Sequence, residues 1–194
     1  MSASADSTGT ADGNEDLIAA IRRDHRQIER QFDSIEMATD LQARDDAFRE
    51  LVRTLVAHET AEQVIVHPLT RRRSEEVAEA RLAEEKEGEV LLALLEELGV
   101  GSDDFEIQLA RLRRDVLEHA GREERDEHPL IEREVDAERL DRLGDAFRTA
   151  ERAAPTHAHP HSPRSATGNV VAGPFMAIVD RVRDAAQRAL GSSS

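Results

Sequence analysis

Four stretches of the chain place apolar residues at the three-and-four spacing that lines one face of an α-helix. The first runs through Ile18, Ile21, Ile28, Phe32 and Ile35, the second through Phe48, Leu51, Leu55, Ile65 and Leu69. A third, over about 75–98, carries Leu82, Leu92 and Leu95; the fourth carries Phe105, Leu109, Leu112, Val116 and Leu130, with the polar Asp126 on the same face. No stretch alternates at period two for long enough to form a half-buried strand, so an all-α chain is expected. Four long amphipathic helices with short polar links predict an up-down-up-down four-helix bundle. Gly99-Val100-Gly101-Ser102-Asp103 is suited to ending the third helix and capping the fourth. Pro68 and Pro129 stand where the second and fourth stripes run out, which predicts helix ends or kinks there.

Beyond the fourth stripe the pattern weakens. Leu140, Leu143 and Phe147 mark a fifth helix over about 136–150, and Pro174 to Leu190 reads as a last one, with Phe175, Ile178, Val179, Val182 and Ala186 inward. Both are expected as additional C-terminal helices packed outside the bundle. The organisation that follows is a disordered tail over 1–14, a bundle over 15–132, and a C-terminal helical extension over 133–194 with a His/Pro-rich loop at about 153–173.

The stripes are interrupted by residues that do not belong in an apolar core. His25, His58, Glu62, Glu85, His119 and Glu123 fall where the pattern asks for Leu or Ile. Burying an ionised carboxylate without compensation costs several kcal/mol, so three such glutamates need strong partners. Two of the helices repeat one arrangement: HETAEQVIVHPL holds His58-x3-Glu62 and HAGREERDEHPL holds His119-x3-Glu123. That spacing puts an imidazole and a carboxylate on one helix face, one turn apart. Convergence of these groups from four helices points to a metal centre of iron, manganese or zinc, with carboxylates able to bridge two ions. The competing reading is a set of core histidines and edge glutamates satisfied by arginine. Glu59 and Glu124 flank the stripes and read as solvent-facing or outer residues paired with Arg. His67 and His128 lie more than two turns beyond the first histidine of each repeat, which fits an outer or helix-terminal role. His157, His159 and His161, in the Pro-rich loop, read as a solvated linker.

Composition narrows the chemistry. The net charge is −15, from 41 acidic and 26 basic residues, which disfavours nucleic-acid and anionic membrane surfaces. Cysteine is absent, so disulfides, thiolate zinc and iron–sulfur clusters are excluded and any transition metal must sit on imidazole and carboxylate. No apolar run approaches the roughly 20 residues of a membrane span. The N-terminus has neither the basic start nor the apolar stretch of a signal peptide, so a cytoplasmic location is the expectation.

Asp24-His25, His58-x3-Glu62 followed by Pro68, and His119-x3-Glu123 followed by Pro129 together resemble the hemerythrin family, specifically bacterial hemerythrin-like proteins with the HHE cation-binding domain. The resemblance spans about 16–132 and implies a four-helix bundle around a non-haem di-iron centre. Carried over by residue, it implies His25 and His58 on one iron, His119 on the other, and Glu62 and Glu123 as bridges. One departure stands out: where the family's third helix usually supplies histidine, this chain has Glu84-Glu85-Lys86-Glu87, and Glu85 best matches the position. A carboxylate there adds negative charge, which favours the ferric state and leaves a single or substituted metal as an alternative. His67 and His128 replace the family's usual aromatics before the prolines. The expected function is binding or turnover of a small oxidant (oxygen, hydrogen peroxide or nitric oxide), with catalase-like peroxide turnover left open. The alternative is a metal- or oxygen-sensing or iron-binding module without catalysis.

Overall fold

A computed structural model describes residues 15–154, and among these every regular element is helical. Four long helices, α1 (Leu17–Glu36), α2 (Leu41–Arg71), α3 (Glu75–Leu98) and α4 (Asp103–Arg122), follow one another through tight links. Each packs on the next and α4 returns against α1, which closes an up-down-up-down bundle. A π-helical turn (Glu123–Glu127) continues α4 into α5 (His128–Glu132), and α6 (Ala137–Ala153) doubles back to pack on α1 and α2.

The helix starts are fixed by short polar side chains. Asp16 accepts from the Ala19 amide at 2.8 Å, Asp40 from Ala43 at 2.8 Å, and Asp136 from Arg139 at 2.9 Å. Ser74 and Ser102 cap α3 and α4 in the same manner. Each such cap satisfies an amide that the first helical turn leaves unpaired. Gly99 ends α3 at φ 70°, a left-handed conformation in which other residues are strained.

The interior is two apolar cores with a polar layer between them. Ile28, Phe32, Ile35, Phe48, Leu55, Leu95, Phe105 and Leu112 form the core nearest the α1–α2 and α3–α4 links. Leu17, Ile21, Ala61, Ile65, Leu69, Ile131, Leu143 and Phe147 form the other. The fifth predicted helix therefore contributes to a core as α6, through Leu143 and Phe147. Pro68 lies inside α2, which runs on to Arg71. The predicted last helix over Pro174 to Leu190, the 1–14 tail and the His157, His159 and His161 loop lie outside the described residues.

One part of the fourth stripe is out of phase with its prediction. Asp126 is exposed and Leu130 only half-buried, while Glu127, His128 and Ile131 are buried. The π turn rotates less per residue than an α-helix, so it moves the inward face one position along the chain. A constant period of 3.6 cannot anticipate that shift.

Candidate metal centre

The polar layer is built by four helices, each with its inward stripe interrupted at the same height. His25 comes from α1, His58, Glu59 and Glu62 from α2, Glu85 from α3, and His119 from α4, with Glu123 opening the π turn. All six predicted residues are buried, Glu62 completely and Glu123 to 1% exposure. They assemble as two ligand groups: His25, His58, Glu62 and Glu123 form one, and Glu59, Glu62, Glu85 and His119 the other. Within each group one atom per residue lies within 4.8 Å of the rest. Glu62 belongs to both.

Glu123 also spans the two. Its Oε2 lies 3.2 Å from His25 Nε2 and its Oε1 lies 3.1 Å from His119 Nε2. His58 Nε2 lies 3.3 Å from Glu62 Oε1. The three imidazoles therefore all turn Nε2 toward the shared carboxylates. Their opposite nitrogens face outer carboxylates: His25 Nδ1 meets Glu124 at 3.0 Å and His119 Nδ1 meets Glu84 at 2.8 Å. Asp24 Oδ2 is 3.8 Å from His58 Nδ1, long for a hydrogen bond but close enough to orient the ring by charge. A carboxylate behind the ring fixes the tautomer that leaves Nε2 free as a ligand, and raises its basicity. Glu84 is itself held by Arg81 at 3.2 Å and Arg122 at 3.0 Å.

The donor set fits a cation. Among the described residues, Nε2 of His25 and His119 and both oxygens of Glu62 and Glu123 are buried without a hydrogen-bond partner. Leaving such groups unpaired costs of order 1–3 kcal/mol each, and more for charged ones. Imidazole nitrogens and carboxylate oxygens aimed at one another share what a borderline transition-metal ion satisfies.

The electrostatics without metal show the same frustration. Burial pushes the Glu62 carboxyl well above the usual carboxylate range, helped by the negative charges of Glu123 and Glu59. Glu59 is raised likewise, by burial and then by Glu85. Burial acts on Glu123 too, but His119 and His25 outweigh it and hold that carboxyl well below its ordinary value. His119 is raised despite burial because Glu123, Glu84 and Glu59 surround it. The upward shifts of Glu62, Glu59 and His119 favour protons at the centre, where cation charge would otherwise go.

Glu59 is the residue that the apolar pattern left outside. It turns inward from the edge of the α2 stripe, and its buried Oε2 has no hydrogen-bond partner. Glu124 does take the outer position expected of it, between His25 and Arg22. His67 is also an outer residue: it lies against Glu85, not among the ligand groups. His128 is buried and stacks on His25 with ring centres 6.3 Å apart.

No helix among the described residues is long and apolar enough to cross a membrane. The family described as "Hemerythrin HHE cation binding domain" matches residues 16–131. A curated relative, an uncharacterized hemerythrin-like protein of Schizosaccharomyces pombe, is 25% identical over 169 residues, covering 85% of this chain and 83% of its own. The fold is similar to the crystal structure of an HHE cation binding domain-containing protein from Mycobacterium kansasii, with a TM-score of 0.63 at 17% identity. That likeness covers 90% of this chain and 99% of the mycobacterial one. With the family model matched over residues 16–131 and two buried His/Glu groups able to hold a metal, the chain belongs to the hemerythrin HHE cation-binding domain family.

Proposed function

We propose that the polar layer holds two non-haem iron ions and that the protein binds or turns over a small oxidant there, whether oxygen, hydrogen peroxide or nitric oxide. The observation that carries this reading is the sharing of Glu62 by two ligand groups, each completed by imidazole, with Glu123 reaching both. His25, His58, Glu62 and Glu123 would hold one ion, and Glu59, Glu62, Glu85, His119 and Glu123 the other. Iron in such a set supplies open coordination positions and a change of oxidation state.

The chain's own residues do the rest. A small cavity beside the centre is lined by Ile28, Leu55, Val116, Leu117 and Ala120 together with His25, His58, Glu59 and His119. Its mostly apolar lining and small size favour a small, weakly hydrated molecule over larger ones. Asp24, Glu84 and Glu124 keep the imidazoles oriented while charge at the centre changes. The test is metal analysis of purified full-length protein followed by absorption spectra with azide and with peroxide, and an assay of peroxide decay. Iron retention with an azide-dependent absorption band supports the reading. A chain that retains no iron contradicts it.

A second reading, a metal- or oxygen-sensing module without turnover, draws on one contact. The Phe147 ring of α6 meets the His58 ring edge-on at 5.9 Å, so a change at the centre bears on α6. Unchanged α6 protease sensitivity with and without iron contradicts this reading; an iron-dependent change without peroxide decay supports it over turnover.

A further inference from the structure

Glu85, the third-helix residue at the position where the family usually has histidine, is gripped from behind. Gln63 Nε2 donates to its Oε2 at 2.7 Å, and His67 Nε2 lies hard against its Oε1. The second nitrogen of that ring, His67 Nδ1, faces Glu127 Oε1 at 3.4 Å, and Thr70 Oγ1 donates to the same oxygen. His67, Thr70, Glu85 and Glu127 are all buried. An imidazole set between two carboxylates uses both nitrogens as donors, so neither is free for a metal while the row stands.

The row joins three elements. His67 and Thr70 come from α2, Glu85 from α3, and Glu127 from the π turn that re-centres it on the inward face. Nothing in it belongs to the first ligand group, His25, His58, Glu62 and Glu123. Its inner end is Glu85, beside Glu59, Glu62 and His119.

Building on the dinuclear reading above, we propose that His67 is a positioning residue for the second metal position: anchored by Glu127 and Thr70, it fixes the Glu85 carboxylate and offsets its charge. On this account the α3 histidine is not simply lost. A glutamate on α3 backed by a histidine on α2 stands in its place, and the extra negative charge expected of Glu85 is met locally.

The test is an anaerobic titration of the metal-free, full-length protein with ferrous iron, with circular dichroism as a check on folding. The wild-type chain should take up two ions. His67→Phe should weaken the second by about 10–100-fold, the range seen when a residue behind a metal ligand is lost, and leave the first unchanged. His67→Gln keeps one amide donor for Glu85 and should recover part of that loss; it decides the matter if the Phe variant does not fold. In a Glu85→His background the same His67 substitutions should have no effect on the second ion. Unchanged second-ion affinity in both His67 variants overturns the proposal. So does equal weakening of both ions, or the same loss in the Glu85→His background. A wild-type chain that binds no iron removes the dinuclear reading and the proposal with it, and is seen before any variant is made.

Discussion

Glu59 follows His58 directly, so its Cα–Cβ bond points to the flank of the α2 stripe, not its centre. Periodicity reports that direction alone, and a glutamate side chain is long enough to swing inward from the flank. The six predicted residues were legible because each interrupts an apolar run; Glu59 interrupts nothing. Its place in the second group predicts that Glu59→Gln sharply lowers uptake of one iron and spares the other, checked by the same anaerobic titration. His67 carries a separate expectation. Burial lowers its pKa, but Glu127 and Glu85 outweigh that and raise it from 6.5 to about 10. A histidine with a raised folded-state value contributes stability fully below pH 6.5 and loses it as pH climbs toward 10. Glu59 and Glu62, raised by burial, have the same sign: the native state keeps protons that the unfolded chain releases, so stability falls with rising pH. The metal-free protein should therefore show a declining urea midpoint above pH 6.5, less steep in His67→Gln. A midpoint that rises over that range contradicts the assignment.

At the scale of elements, the four long helices and their caps follow from stripe spacing and from Asp16, Asp40, Ser74 and Ser102. The π turn was not readable, because Glu123 to Glu127 is a uniformly polar run in which an inserted residue leaves no mark. The packing of α6 on α1 was equally hidden, and Gly144 is its physical reason. A Cβ at Gly144 would fall 2.4 Å from the Glu15 carbonyl oxygen, a backbone atom that cannot swing aside. Gly144→Ala should cost about 1–3 kcal/mol, as overpacking of a tight interior does. Gly88, inside α3, has open space around the corresponding position, so Gly88→Ala should instead add about 0.5–1 kcal/mol through helix propensity. Urea denaturation of the two variants side by side checks the pair. Equal effects would mean that the α6–α1 approach is looser than described.

At the scale of the whole molecule, a layer of acids and imidazoles separates two apolar cores. The chain as a whole carries a net charge of −15. Without a cation this layer weakens the middle of the bundle; with one it ties four helices together. Binding to the native state alone stabilises by about 2.7 kcal/mol at free metal one hundredfold above Kd. For a chain of this size that is a rise of roughly 5–10 °C in Tm, to be read by calorimetry with and without iron. The layer itself was visible in the sequence, since an imidazole or a carboxylate interrupts each of the four stripes at one height. Its division into two groups, and the row of side chains behind Glu85, depend on how helices turn and meet, which spacing along one helix does not carry.

The most direct measurement is the number of metal ions per chain, by elemental analysis, in the wild-type protein and in Glu62→Ala. Protein must be quantified by amino-acid analysis, because the chain has no Trp and no Tyr. Because Glu62 serves both ligand groups, about two ions per wild-type chain are expected, the number those two groups call for, with near-complete loss of both in the variant. A wild-type chain without metal, or a Glu62→Ala chain with undiminished content, would contradict it.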